Sequence, residues 1–244
     1  MAEGMANGAG QGFADEIAAA MPATMTLPGD LRAAFDWMDS VGAVQAYANP
    51  RAGGPKRFAT LYPADSGVDP DRQSRVMFEV LDDFYYDYPN LSPAKIRERL
   101  FLFARTGDDG SQAGLWLDDR GRIHLVHLGS GSGSTWFARI TDSPLSFLRF
   151  LAIGYAEPGF DDGHSLTAEE NWLQANGLTG QDRASLETAG LWQPTVPPFA
   201  FQDFLKQRFG TTTPDRATDA ILTPDGDPEA EPDDFALWLL QITG

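Results

Sequence analysis

Between Leu100 and Ala156 four short apolar runs follow one another with little but turn residues between them. Leu100 to Ala104 is closed by Gly107-Asp108-Asp109-Gly110 and Leu115 to Leu117 by Asp118 to Gly121, while Ile123 to Leu128 and Trp136 to Ile140 complete the set. Each run has strand length, and Asp and Gly supply the turn conformations at its flanks. A parallel crossover needs a dozen or more connecting residues, so runs spaced this closely pair as an antiparallel meander.

After the fourth run, Ser143 is placed to cap a helix whose first position is Pro144, where a missing N–H costs nothing. Leu145, Leu148, Leu151, Ala152 and Tyr155 then recur at three- and four-residue spacing and form one apolar stripe. A bare meander is marginal in water, so this helix is expected to lie across one face of the sheet.

Upstream, residues 1–24 read as a disordered or weakly ordered tail, with a short helix candidate from Phe13 to Met21. A second helical stripe follows at Leu31, Ala34, Phe35 and Met38, and Phe58 to Tyr62 and Val76 to Val80 read as two further strands. Beyond Glu157 the pattern turns helical. Thr167 with Glu170 makes a capping box, Phe199 to Phe209 is amphipathic and stops at Gly210, and Thr213-Pro214 opens a short helix ending near Leu222. The acid-rich run from Asp215 to Asp234 reads as a solvated loop, and the apolar segment after it, Phe235 to Ile242, must dock on the sheet or on the preceding helices.

The predicted class is therefore α+β: a central antiparallel sheet of about five to six strands flanked by helices. Residues 25–157 form the domain and 158–244 a helical extension packed on it.

Charge narrows the function classes. The chain has 244 residues, with 18 Lys plus Arg against 35 Asp plus Glu and a net charge of −17. Such a surface repels phosphate backbones, which argues against nucleic acid as a partner, and draws in a basic protein. The chain has no cysteine, which excludes disulfides, thiolate metal sites and cysteine nucleophiles. No apolar run reaches the length of a membrane span and no basic leader precedes Arg32, so a cytoplasmic protein without a membrane partner is expected.

Motifs that could carry chemistry are weak. His124 and His127 stand three apart on a strand, so they point to opposite faces and cannot share one metal; one is expected at the core edge and the other in solvent. The Ser/Gly run Gly129 to Ser134 leads into a strand, whereas a phosphate-binding loop leads into a helix. Asp108-Asp109-Gly110, Asp161-Asp162-Gly163 and Asp225-Gly226-Asp227 lack the spacing of a calcium loop and are what tight turns require. No catalytic, cofactor or metal residue is assigned.

An interaction site is more legible. Asp82, Asp83 and Asp87 stand among Tyr85, Tyr86 and Tyr88, a mixture of rigid aromatic area and carboxylates suited to a basic partner. With Asp108 and Asp109 these form the expected partner-binding set. If the run is extended, Phe84 and Tyr86 share one face while Tyr85 and Asp87 share the other.

The residues also carry a resemblance. LPGDLRAAFDWM near the start, Leu115-Trp116-Leu117-Asp118 followed by Gly121-Arg122-Ile123-His124, and Asp142-Ser143-Pro144-Leu145-Ser146-Phe147-Leu148 occur in the order seen in the SMI1/KNR4 family, the SUKH superfamily. The chain resembles that family over residues 25 to 157. The resemblance implies an α+β fold without catalytic residues and, in bacteria, an immunity protein that neutralises a cognate secreted toxin by stoichiometric occlusion. The toxin would carry a basic face. A regulatory interaction module of the same fold and a carboxylate-based hydrolase are the alternatives.

Overall fold

The computed structural model describes residues 11–49, 54–87, 93–130, 136–222 and 231–243. Seven strands form one sheet: β1 Val44–Asn49, β2 Gly54–Ala59, β3 Met77–Phe78, β4 Leu100–Arg105, β5 Gln112–Leu117, β6 Ile123–Leu128 and β7 Phe137–Thr141. They lie in chain order and every neighbouring pair is antiparallel. Around the sheet lie α1 Phe13–Ala20, α2 Gly29–Ser40, α3 Phe84–Asp87, α4 Pro93–Ile96, α5 Pro144–Leu151, α6 Ala168–Ala175, α7 Arg183–Ala189, α8 Phe199–Phe209 and α9 Asp234–Thr243. The fold is α+β as expected, with one strand more than the upper expectation because Val44–Asn49, which alternates only one valine and two alanines with polar residues, pairs with β2.

Alternation along β4, β5 and β6 sends two sets of side chains to opposite faces. Phe101, Phe103, Ala113, Leu115 and Leu125 enter a first core, which α1, α2, α5 and α8 cover with Ile17, Leu31, Phe35, Phe147, Phe201 and Leu205. Edge-to-face and stacked rings run through it from Phe13 to Phe35, Phe78, Phe103 and Phe147. Each such contact adds about 0.5–1.5 kcal/mol beyond the area it buries. Leu100, Leu102, Trp116, Val126 and Leu128 enter a second core on the reverse face, closed by Tyr86, Ile96, Phe235, Trp238 and Leu239. The single covering helix expected from the sequence is thus one of several, and both faces are covered.

Local signals account for much of this. Ser143 Oγ accepts the Ser146 N–H at 3.1 Å with Pro144 opening α5, and Thr167 and Glu170 make the reciprocal capping box of α6. The expected weakly ordered leader is corrected from residue 13 onward: α1 buries Phe13, Ala14 and Ile17 completely, and the Phe13 N–H donates to Asp39 Oδ2 at 2.8 Å. Thr213-Pro214 does not open a helix; only a single 3-10 turn forms, at Ala217–Asp219.

The chain returns from α7 along an extended segment that meets Gly154. This residue has φ +88°, and a Cβ on it would stand 2.8 Å from the Pro197 backbone. Glycine is therefore what lets residues 197–198 lie against the end of α5 and deliver α8 to the first core.

The two sheet edges differ. Along β7 the Arg139 N–H donates to Asp233 Oδ2 at 2.6 Å and the Ile140 carbonyl accepts the Leu222 N–H at 2.7 Å. Along β1 no segment among the described residues pairs on the outer side.

Candidate interaction surface

The aromatic and acidic stretch after β3 is a helical turn, not the extended sheet edge that its composition suggests. The carbonyls of Asp82 and Asp83 accept the N–H groups of Tyr85 and Tyr86 at 3.0 and 2.9 Å, which starts α3. Strand preference is set by packing, and here packing takes Tyr86 out of the surface. Tyr86 is 3% exposed; its hydroxyl oxygen accepts the Leu102 N–H at 2.9 Å and the Arg97 guanidinium lies 4.5 Å from its ring centroid. Burial pushes its hydroxyl up to about 12, against the Leu102 N–H, which favours the charged form.

Two acids of the stretch have internal partners. Asp82 is 3.1 Å from Lys56 Nζ and Asp83 pairs with Arg97. Tyr85 is half-buried at the rim of the second core. Asp87 is the last residue of α3, and Tyr88 lies outside the described residues. Asp83 is the more exposed of the first two carboxylates, at 75% against 38% for Asp82.

Asp82 joins a larger ionic cluster that the sequence did not reveal. Glu79, whose side chain is 1% exposed, places Oε2 3.0 Å from Lys56 Nζ and Oε1 2.8 Å from Arg105 Nε. The Tyr47 hydroxyl donates to the same Oε2 at 3.0 Å. Burial first, and the Glu79 charge next, push that hydroxyl up to about 12. β1, β2 and β4 thus contribute one side chain each around a buried carboxylate that follows β3.

Asp108 and Asp109 form a separate group at the β4–β5 turn. Asp108 lies 3.4 Å from Arg75 Nε, and its N–H donates to Glu157 Oε2 at 3.2 Å. Asp109 accepts the hydroxyls of Ser111 and Ser130 at 2.6 and 2.7 Å. Partial burial opposes its charge, yet the hydroxyl and backbone donors outweigh it and hold the carboxyl below its usual range. Glu157 moves the other way, raised by burial and by Asp108. Asp109 is therefore turn architecture, and of this pair Asp108 is the one presented to solvent.

Both histidines of the strand pair are buried, which corrects the expectation of one in solvent; they do occupy opposite faces. His124 sits with Nδ1 2.6 Å from Asp142 Oδ1 and Nε2 3.1 Å from Asp118 Oδ2. Asp118 also accepts from Arg120 and Arg122, and these bonds hold it well below the usual carboxylate range despite its burial. His127 stacks on Trp136 at 4.5 Å, with Nδ1 3.0 Å from the Trp136 carbonyl and Nε2 3.1 Å from Thr106 Oγ1. A hydroxyl on a histidine resembles a nucleophile and its base, but Gly159 closes over it: a Cβ there would stand 2.8 Å from Thr106 Oγ1 and 3.1 Å from His127 Nε2. No group of three or more His, Asp and Glu among the described residues is arranged to hold a metal ion. Asp225-Gly226-Asp227 and most of the Ser/Gly run lie outside those residues.

What remains at the surface is an excess of carboxylate. At least eleven of the eighteen Lys and Arg are bound in ion pairs within the fold. Acids such as Asp36, Asp65 and Asp203 face solvent. No helix among the described residues is long and apolar enough to cross a membrane. Comparison with protein-family models, with curated proteins and with solved structures finds no match to this chain.

Proposed function

We propose that this chain is an immunity protein of the SMI1/KNR4 kind, which neutralises a cognate secreted toxin by one-to-one binding over the toxin's active site or substrate path. The observation that carries the reading is the distribution of charge. More than half of the cations are tied into ion pairs within the fold while carboxylates are in excess outside, leaving a negative field that accelerates encounter with a basic protein. The α+β frame with its helix-capped meander agrees with the resemblance at Leu115 to Asp118 and Asp142 to Leu148. Of the expected contact residues whose side chains are described, Asp83 and Asp108 keep the exposure a contact needs; Tyr86 serves the second core.

The test is coexpression with the product of the adjacent upstream gene. Rescue of growth together with a stable one-to-one complex is the expected result, with association slowing as salt screens the field. Growth that does not depend on this chain, or failure of the two proteins to copurify, overturns the reading.

A further inference from the structure

Among the described residues nothing pairs with the outer edge of β1. Natural sheets guard their edges with charge, proline, bulges or a covering segment. β7 is guarded by Asp233 and Leu222, as described. β1 reads Val-Gln-Ala-Tyr-Ala-Asn, with no charge and no proline, and pairs with β2 in unbroken register over all six residues.

The direction of its backbone groups follows from one bond. The Thr60 N–H donates to the Ala43 carbonyl at 3.2 Å, one step beyond the Val44–Ala59 pair. Antiparallel ladders alternate hydrogen-bonded and non-bonded pairs. Gln45, Tyr47 and Asn49 therefore bond to β2, and Val44, Ala46 and Ala48 turn their N–H and C=O groups outward. Ala46 and Ala48 are exposed, so no bulky side chain bars approach to them.

We infer that β1 takes up an extended segment of a basic partner protein as an eighth strand, antiparallel or parallel, through the outward groups of Val44, Ala46 and Ala48. The surroundings favour this occupant. Arg57, opposite Ala46 in the register, is flanked by Glu16 at 3.2 Å and Asp39 at 2.9 Å. With Gln11 they line an open groove of about 510 Å³. Two carboxylates face one guanidinium there, so the groove accepts a lysine or arginine projecting from the added strand. A second copy of this chain would instead bring another net charge of −17 to the same edge. The inference deepens the toxin-binding reading and rests on it for the natural occupant, while the chemistry of the edge is tested separately.

The probe is an acetylated eight-residue peptide alternating lysine and valine, compared with one in which proline replaces each valine. Both carry the same charge, and the proline peptide cannot form a ladder. Amide exchange is followed in the full ¹⁵N-labelled chain. The lysine–valine peptide is expected to slow exchange at Val44, Ala46 and Ala48 at least tenfold and the proline peptide to leave it unchanged. Ala46→Pro, which removes an outward N–H only, is expected to weaken the peptide at least tenfold.

Equal protection by both peptides, or none at these three amides, overturns the inference. Protection that rises with protein concentration without peptide overturns the occupant in favour of self-pairing. In the coexpressed complex, unprotected β1 amides overturn the inference and leave one-to-one neutralisation standing. Peptide protection without any complex supports the edge and overturns the immunity reading.

Discussion

The Tyr86 hydroxyl accepts the Leu102 N–H at 2.9 Å, and a side chain from a helical turn thereby completes the ladder of a central strand. The β3–β4 pairing ends at Met77–Arg105 and Phe78–Ala104, so Leu102 has no strand partner on that side. Tyr86→Phe keeps the ring, its place in the second core and its contact with Arg97, and leaves a buried donor unmade. Its expected cost is about 1–3 kcal/mol, read as a lower urea midpoint with an unchanged slope. An unchanged midpoint would mean that water serves Leu102 as well as tyrosine does.

Glu79 holds Lys56 and Arg105 together on the reverse face of the sheet. Removing one member of a buried ionic group strands the others, at a cost of about 3 kcal/mol or more. Glu79→Gln is expected to lower stability by that order, and Glu79→Gln combined with Lys56→Met to recover part of it. Additive losses in chemical denaturation would show that the pair is uncoupled.

Burial moves His127 down to about 4 from an ordinary 6.5, with the Trp136 carbonyl pulling the other way. Between those values the unfolded chain holds a proton that the folded chain lacks. This contribution to stability is thus full above about 6.5 and falls as the pH drops toward 4, at up to about 1.4 kcal/mol per pH unit. His127→Gln is expected to be less stable near neutrality and to lose less between pH of about 7 and 4.5. Parallel stability curves for the two proteins would assign the acid sensitivity elsewhere, with Asp109 and Asp118 acting at lower pH.

Gly154 combines a positive φ with close approach to Pro197. Gly154→Ala is expected to cost about 1–2 kcal/mol from backbone conformation alone, with the clash added. Exchange or proteolysis should then show residues 191–200 loosening before the sheet does. Global unfolding with no such local step would contradict the role given to this contact.

How much could be read from the chain depended on whether the signal was local. The runs at Leu100, Leu115, Ile123 and Trp136, the Ser143 cap and the Thr167–Glu170 box are short-range patterns, and the structure contains the corresponding strands and helices. Val44–Asn49 is a weak signal, because the apolar side of its alternation is one valine and two exposed alanines. The stretch around Tyr86 misled in the opposite sense. Its aromatics suit a strand, but the vacancy beside Leu102 and the cation at Arg97 draw it into a helical turn, and neither is visible from residues 82–88. Lys56, Glu79 and Arg105 were illegible as a site because only the pairing of β2, β3 and β4 makes them neighbours.

The helix that roofs the reverse face of β5 to β7 begins at Asp234, about ninety residues after β7 ends at Thr141. At a synthesis rate of roughly 5–20 residues per second, the newly made meander waits several seconds with Trp116, Val126 and Leu128 bare to the cell. Chaperone demand during translation should therefore track the delay before Phe235 and Trp238 arrive, and slow codons downstream of Thr141 would lengthen it.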